Sequence, residues 1–261
     1  MEFAKDYLAA KAISDGKIID GYSRIYFKTN EDLVTAYRKI DFLDKDVLSV
    51  LASSDHVFTA RYHGANSVDA FDKNSLAFYY YYLRVWSIKY MGDIYPDKVL
   101  EKDSYWLLKL LSLVRVSSDK EKKAFNFWYG NLKRKMDFSM LFFEDPTEGR
   151  TIFKSLQSIG SVALGDVDFY HYDLFKPIES DKSYDVILIS NIIEWARNNG
   201  VIMTTIRDNL VKLLRDNGVV LCSSLINRSE EDINKERRIF ESNFDFQDYG
   251  KEVGYTYRKI K

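Results

Sequence analysis

The chain has 261 residues, enough to bury one sizeable core, and its 46% apolar and 30% charged residues are those of an ordinary globular protein. Its 38 basic residues against 39 acidic ones leave no basic excess for a nucleic-acid surface, and its one cysteine, Cys222, rules out a disulfide framework and a thiolate metal site. No apolar run is long enough to span a membrane and the first residues show no apolar core of signal-peptide type, so the expected location is the cytoplasm.

Residues 2–14 place Phe3, Tyr7, Leu8 and Ala12 at helical spacing, with Gly16 as a stop. Tyr22-Ser23-Arg24-Ile25-Tyr26-Phe27 reads as a short irregular or extended piece, and Thr29 to Asp32 as a capping box for a helix carrying Leu33, Ala36, Tyr37 and Ile40. Val47–Leu51 is a short apolar run bounded by Asp44-Lys45-Asp46 and by small polar residues, which suits a buried parallel strand. Ala52-Ser53-Ser54-Asp55 then forms a tight loop, with Asp55 as the expected N-cap of a helix holding Val57, Phe58 and Ala60 and ended by Gly64. Val68–Phe71 is a second strand, closed by Asp72. A strand, loop, helix, strand and acid in this order can hold a nucleotide-type ligand. The ligand lies across the loop near the helix N-terminus, and the acid accepts its two ribose hydroxyls. Asp72 falls within a residue or two of the roughly 20 positions expected beyond the loop.

A helix over Leu76–Trp86 contains four consecutive tyrosines, Tyr79 to Tyr82, which at 3.6 residues per turn point around most of its circumference. Residues 93–150 are too many for a plain connection, and the apolar stretches Tyr105–Leu111 and Phe125–Tyr129 make them a helical insertion, either a subdomain with its own core or a lid over a greasy substrate. Residues 149–159 suit a helix and Val167–Tyr172 a strand that ends at Asp173, which can also serve as a helix or turn cap ahead of Pro177. Tyr184–Asn191 is the clearest buried strand, and Ser190 and Asn191 emerge at its carboxyl end, beside the first loop, in the crevice where open α/β sheets bind ligands. Ile206–Leu214 reads as a helix stopping near Gly218, Val219–Ser223 as a strand, and Ser229–Asp232 as a second capping box. Phe244–Tyr249 and Tyr255–Ile260 close the chain as a hairpin through Gly250 and Gly254. Nineteen tyrosines are more than a core needs and point to a pocket for a flat or partly apolar ligand.

The unit ending at Asp72 together with the terminal hairpin resembles the class I S-adenosylmethionine-dependent methyltransferases, over residues 45–75 and 165–261. The stretches Ser53-Ser54-Asp55-His56, Val68-Asp69-Ala70-Phe71-Asp72-Lys73-Asn74 and Ser190-Asn191-Ile192-Ile193-Glu194-Trp195, with Asn30-Glu31-Asp32, are similar to a methyltransferase-like branch related to betaine-lipid synthases. Those enzymes transfer the 3-amino-3-carboxypropyl group of the same cofactor. The resemblance implies an α/β fold: a Rossmann-like seven-stranded sheet with a closing antiparallel hairpin, in one domain over residues 1–261 with a helical insertion at 93–150. It implies S-adenosylmethionine as cofactor, bound by Ala52, Ser53, Ser54, Asp55, Asp72, Lys73, Asp173, Ser190 and Asn191, with Asp173 on the adenine amino group. Tyr22, Arg24 and Tyr26 would either face the substrate, a small-molecule or lipid-like acceptor, or simply pack the N-terminal segment on the sheet.

The chain departs from the family where a Gly-x-Gly usually stands, since it has Ala52-Ser53-Ser54 there. After Asn191 it also lacks the prolines of nucleic-acid amino-methyltransferases. Methyl transfer is the expected activity. Aminocarboxypropyl transfer, a catalytically inactive binding module and an NAD enzyme that uses Asp72 in the same way remain the alternatives. His56, His63 and His171 show no metal-ligand spacing, and the sequence names no general base.

Overall fold

A computed structural model describes residues 3–26, 29, 31, 33–92, 105–143, 164–197, 199–223, 229–250 and 254–260. Its centre is a parallel sheet of β2 (Asp46–Val50), β3 (Ser67–Phe71), β5 (Phe169–Tyr170), β6 (Tyr184–Ser190) and β7 (Leu214–Cys222). The terminal hairpin, β8 (Phe244–Asp248) and β9 (Tyr255–Lys259), joins it antiparallel, with β9 inserted against β7. The order β5-β3-β2-β6-β7-β9-β8 is the expected Rossmann-like seven-stranded mixed sheet with a closing antiparallel hairpin. Strand order reverses between β2 and β6, which makes the carboxyl ends of these two strands the natural ligand crevice.

Alternation along the central strands decides which helices cover which face. Val47, Val186 and Leu188 point to one apolar cluster, whereas Leu48, Val50, Ile187 and Ile189 point to the other. The first face is covered by α1 (Phe3–Ser14), α2 (Leu33–Tyr37), α3 (Asp55–Tyr62) and α4 (Leu76–Met91). On the second face lie α8 (Gly200–Leu213) and α9 (Glu230–Phe240), with the short α7 (Ile192–Ala196) leading into them. Ser229 and Asp232 form the capping box expected at the start of α9.

The four tyrosines are all buried, because α4 is enclosed on every side. Tyr81 stacks on Phe58 of α3 at 5.4 Å, and Tyr79 stacks on Phe127 at 3.9 Å. Phe127 belongs to α6 (Asp119–Lys133), which with α5 (Tyr105–Leu113) packs on the outer side of α4. A helix apolar all round needs such a second layer. The tyrosine hydroxyls still find acceptors: Tyr79 donates to Asp6 at 2.6 Å and Tyr82 to Asp166 at 3.0 Å. β1 (Ile25–Tyr26) pairs in parallel with β4 (Phe142–Phe143) and ties the N-terminal segment to the chain beyond α6.

Several boundaries differ from expectation. The strand expected over 167–172 shrinks to two residues, because it sits at the edge of the described sheet and, among the described residues, pairs only with β3. Helix α8 starts at Gly200, capped by the Asn199 side chain, and β7 follows at once from Leu214, so Gly218 lies within a strand instead of ending a helix. The helix expected at 149–159 lies outside the described residues. Among the described residues no helix is long and apolar enough to cross a membrane.

Gly254 enters β9 with φ of +103°, and a Cβ there would lie 2.1 Å from the Cys222 carbonyl oxygen. No side chain fits so close to backbone. Gly254→Ala is therefore expected to cost about 2 kcal/mol or more in urea unfolding, whereas an unchanged midpoint would contradict this placement of the hairpin.

Candidate functional site

A cavity of about 620 Å³ opens at the carboxyl ends of β2, β3 and β6. Its inner edge is the loop after β2. Ala52 and Ser54 both take positive φ, +39° and +73°, so the backbone follows the path that glycines would give. Ser190, a cavity residue at the end of β6, likewise has φ of +54°. Each costs of order 1 kcal/mol, and the surrounding bonds hold the strain in place. The Leu51 N–H donates to the Phe71 carbonyl at 2.8 Å, and the Ala52 N–H donates to Asp72 at 2.9 Å.

Asp72 sits where the sequence placed it, at the end of β3 on the cavity wall. Its Oδ2 accepts from Ala52 and its Oδ1 from the Asn74 N–H at 2.9 Å, so each oxygen keeps acceptor capacity for a ligand. Burial pushes this carboxyl above the usual carboxylate range, opposed by those two N–H groups and by nearby Lys73 and His171. Lys73 lines the cavity beside it, with Nζ 5.7 Å from the Phe175 ring centre. Opposite stands Asp173, whose Oδ1 accepts from the Phe175 N–H at 3.1 Å and which is partnered by Lys176 at 3.9 Å. Asp173 thus caps the following turn and also faces the cavity.

The cavity also takes in Ala52, Ser53, Ser190 and Asn191 from the expected cofactor residues, and Arg24 and Tyr26 from the expected substrate residues. Tyr26 and Trp195 stand at the rim, 41% and 70% exposed. Three expected residues face elsewhere. Tyr22 donates its hydroxyl to Asp6 at 2.8 Å, which turns it toward α1. Ser54 is fully buried behind the loop, and among the described residues its Oγ has no hydrogen-bond partner.

Asp55 is not the N-cap but the first residue of α3, and Ser54 before it makes no side-chain cap. The Asp55 carboxylate is completely buried and pairs with Arg84 of α4 at 3.0 Å. It also accepts from the Ser53 hydroxyl at 2.7 Å and from the Thr29 N–H at 2.9 Å. A partner of full opposite charge was within reach, so the carboxylate took it in place of the helix N–H groups.

Sequence reasoning missed the polar centre of the cavity. Ser23, Thr29 and Glu31 meet the strand ends in order. The Ser23 carbonyl accepts from Asn74 at 2.8 Å, Thr29 meets Asp55, and Glu31 reaches Ser190 and Ser223. Glu31 and His56 form a buried pair, with Oε2 and Nε2 3.0 Å apart, and both line the cavity. His56 Nδ1 meets the Tyr37 hydroxyl at 2.8 Å. Burial alone would raise the Glu31 carboxyl, but the His56 charge and the bonds from His56, Ser190 and Ser223 outweigh it and hold Glu31 low. Burial would likewise lower His56, but Glu31 and Asp55 raise it above its ordinary 6.5. The available signal was His56 directly after Ser53-Ser54-Asp55, but no spacing rule joins it to Glu31. Among the described residues no group of three or more His, Cys, Asp or Glu is placed to hold a metal ion.

Two substitutions test the loop. Ser54→Gly relieves the positive φ and removes an unpartnered buried hydroxyl, so it should stabilise the protein by about 1 kcal/mol in thermal or urea unfolding. Arg84→Met leaves Asp55 buried without its counter-charge and should cost about 3–5 kcal/mol by the same measurement. A neutral Arg84→Met would show that Asp55 does not depend on the pair.

No family model and no curated protein matches the chain. Among solved structures it is similar to a methyltransferase from Pyrococcus furiosus, at 10% identity and a TM-score of 0.47, over 99% of this chain and 98% of that one. It is also similar to the N-methyltransferase NodS from Bradyrhizobium japonicum WM9 in complex with S-adenosyl-L-homocysteine, at 10% identity, a TM-score of 0.41, and 88% and 84% coverage. A third is a ribosomal protein L11 methylase from Lactobacillus delbrueckii subsp. bulgaricus, at 13% identity, a TM-score of 0.41, and 88% and 77% coverage. At these identities and scores the likenesses assign no activity to the chain.

Proposed function

We propose that the chain is an S-adenosylmethionine-dependent methyltransferase acting on a small-molecule or lipid-like acceptor. The observation that carries this reading is the joint between the loop after β2 and Asp72, at the switch point of a sheet closed by an antiparallel hairpin. In this reading Asp72 accepts the two ribose hydroxyls, Asp173 meets the adenine amino group, and Ala52, Ser53, Ser190 and Asn191 flank the amino-acid tail. The positive φ at residues 52 and 54 supports a tail that runs along the loop as it would past two glycines. Arg24, Tyr26 and the exposed Trp195 then border the space left for the acceptor.

The sulfonium of the bound cofactor would supply the activated methyl carbon. The protein's own contribution is orientation: a wall of fixed donors and acceptors that aligns the acceptor's nucleophile with that carbon and keeps bulk water out. Aminocarboxypropyl transfer needs the same wall with a different carbon presented, so the by-product separates the two. Methyl transfer leaves S-adenosylhomocysteine, and aminocarboxypropyl transfer leaves methylthioadenosine.

Calorimetry is expected to show binding of S-adenosylhomocysteine, weakened roughly ten- to a hundredfold by Asp72→Ala. Binding of NADH instead would indicate a dehydrogenase, and binding of neither would indicate a module without this cofactor. The affinity should also fall at acid pH, because protonation of Asp72 begins above its ordinary 3.8 and replaces an acceptor with a donor. Incubation with S-adenosylmethionine and cell extract should yield S-adenosylhomocysteine by mass spectrometry. Methylthioadenosine alone, above a no-enzyme control, would overturn methyl transfer.

A further inference from the structure

We propose that Glu31 binds the α-ammonium group of the cofactor's amino-acid tail, and that cofactor binding thereby expels a proton from His56. This rests on the reading of the cavity as an S-adenosylmethionine site. Three carboxylates line the cavity among the described residues: Asp72 at the end of β3, Asp173 beyond β5, and Glu31 against the end of β6. A ligand with its ribose at Asp72 that runs along Ala52 and Ser53 arrives at Glu31 and His56, the next groups beyond the loop.

The carboxylate is built to receive one more donor. Its Oε2 takes His56 at 3.0 Å and Ser223 at 2.6 Å, while among the described residues its Oε1 takes only Ser190. Of about four acceptor positions, one on Oε1 remains. Ser190 and Ser223 come from the ends of β6 and β7, so the carboxylate is fixed by the sheet itself before any ligand arrives.

Charge around the pair explains the proton. His56 faces Glu31, Asp55 from its own helix and the Tyr37 hydroxyl from α2. Asp55 is already matched by Arg84, and burial keeps Tyr37 neutral. Protonated His56 and ionised Glu31 therefore cancel. An arriving ammonium would put two cations on one buried carboxylate, a repulsion relieved when His56 gives up its proton. Neutral imidazole still donates from Nε2 to Glu31 and accepts the Tyr37 hydroxyl at Nδ1, so the change gives up only that hydroxyl's long 3.4 Å bond to the His56 carbonyl. Affinity for a tail-bearing ligand should rise as pH increases through the raised His56 value, above 6.5.

The test compares S-adenosylhomocysteine with methylthioadenosine, which lacks the amino-acid tail. Calorimetry at neutral pH in two buffers of different ionisation enthalpy should show proton release with the first ligand and none with the second. Glu31→Gln should weaken S-adenosylhomocysteine roughly ten- to a hundredfold, leave methylthioadenosine within about twofold, and abolish the proton release. Equal losses for both ligands would mean that Glu31 only holds the N-terminal segment down, and would overturn the proposal. So would tight binding of S-adenosylhomocysteine by the wild type without proton release, which needs no variant to fold. Wild-type protein that binds neither ligand would instead remove the cofactor reading itself.

Discussion

The buried pair of Asp55 and Arg84 holds the cavity's inner edge in place. Its carboxylate gathers the guanidinium of α4, the hydroxyl of Ser53 in the loop and the N–H of Thr29 from the N-terminal segment. The Arg84 side chain also donates to the Ser53 carbonyl and lies over the Phe58 ring, 5.0 Å from its centre. Burial of two charges costs several kcal/mol that their attraction only offsets when the geometry is good and other hydrogen bonds complete it. Here the Ser53 hydroxyl and the Thr29 N–H complete the carboxylate, so the pair serves as a registration point. Loop, covering segment and α4 are all positioned against one carboxylate.

That registration explains how the loop does without glycine. Ala52 and Ser190 at the cavity and Ser54 behind it all adopt left-handed backbone, a conformation glycine would reach without strain. An unsupported loop with those residues would relax toward negative φ and withdraw the Ala52 N–H from Asp72. The bonds to Asp55, Asp72 and Phe71 prevent this. The cost of the altered residues is spread over a network instead of being removed from the loop.

The parts of this arrangement that rest on local pattern could be read from the sequence. β2, β3, β6 and β7 announce themselves as apolar runs, the hairpin as two alternating runs around glycines, and Asp72 by its distance from the loop. What could not be read depends on which residue of opposite character folding brings close. Glu31 lies in a polar Asn30-Glu31-Asp32 that reads as a helix start, yet its partners are 25, 159 and 192 positions away. Asp55 looks like a cap until Arg84 is seen beside it. Tyr22 looks like a substrate residue until Asp6 is seen to accept its hydroxyl. In each case a long-range polar contact outweighed a short-range preference.

The cavity draws its wall from five separate parts of the chain, around Arg24 and Glu31, Ala52 and His56, Asp72, Asp173, and Ser190. No fragment of the chain contains it, and it exists only when both halves of the sheet have joined across β2 and β6. A ligand that enters it therefore binds the native state and ignores any partly opened one that separates these strands. Its effect should spread as protection of the whole domain against proteolysis and amide exchange, instead of stiffening a single loop. At a free concentration a hundred times the dissociation constant, mass action adds about 2.7 kcal/mol to the stability of every element whose opening dismantles the site.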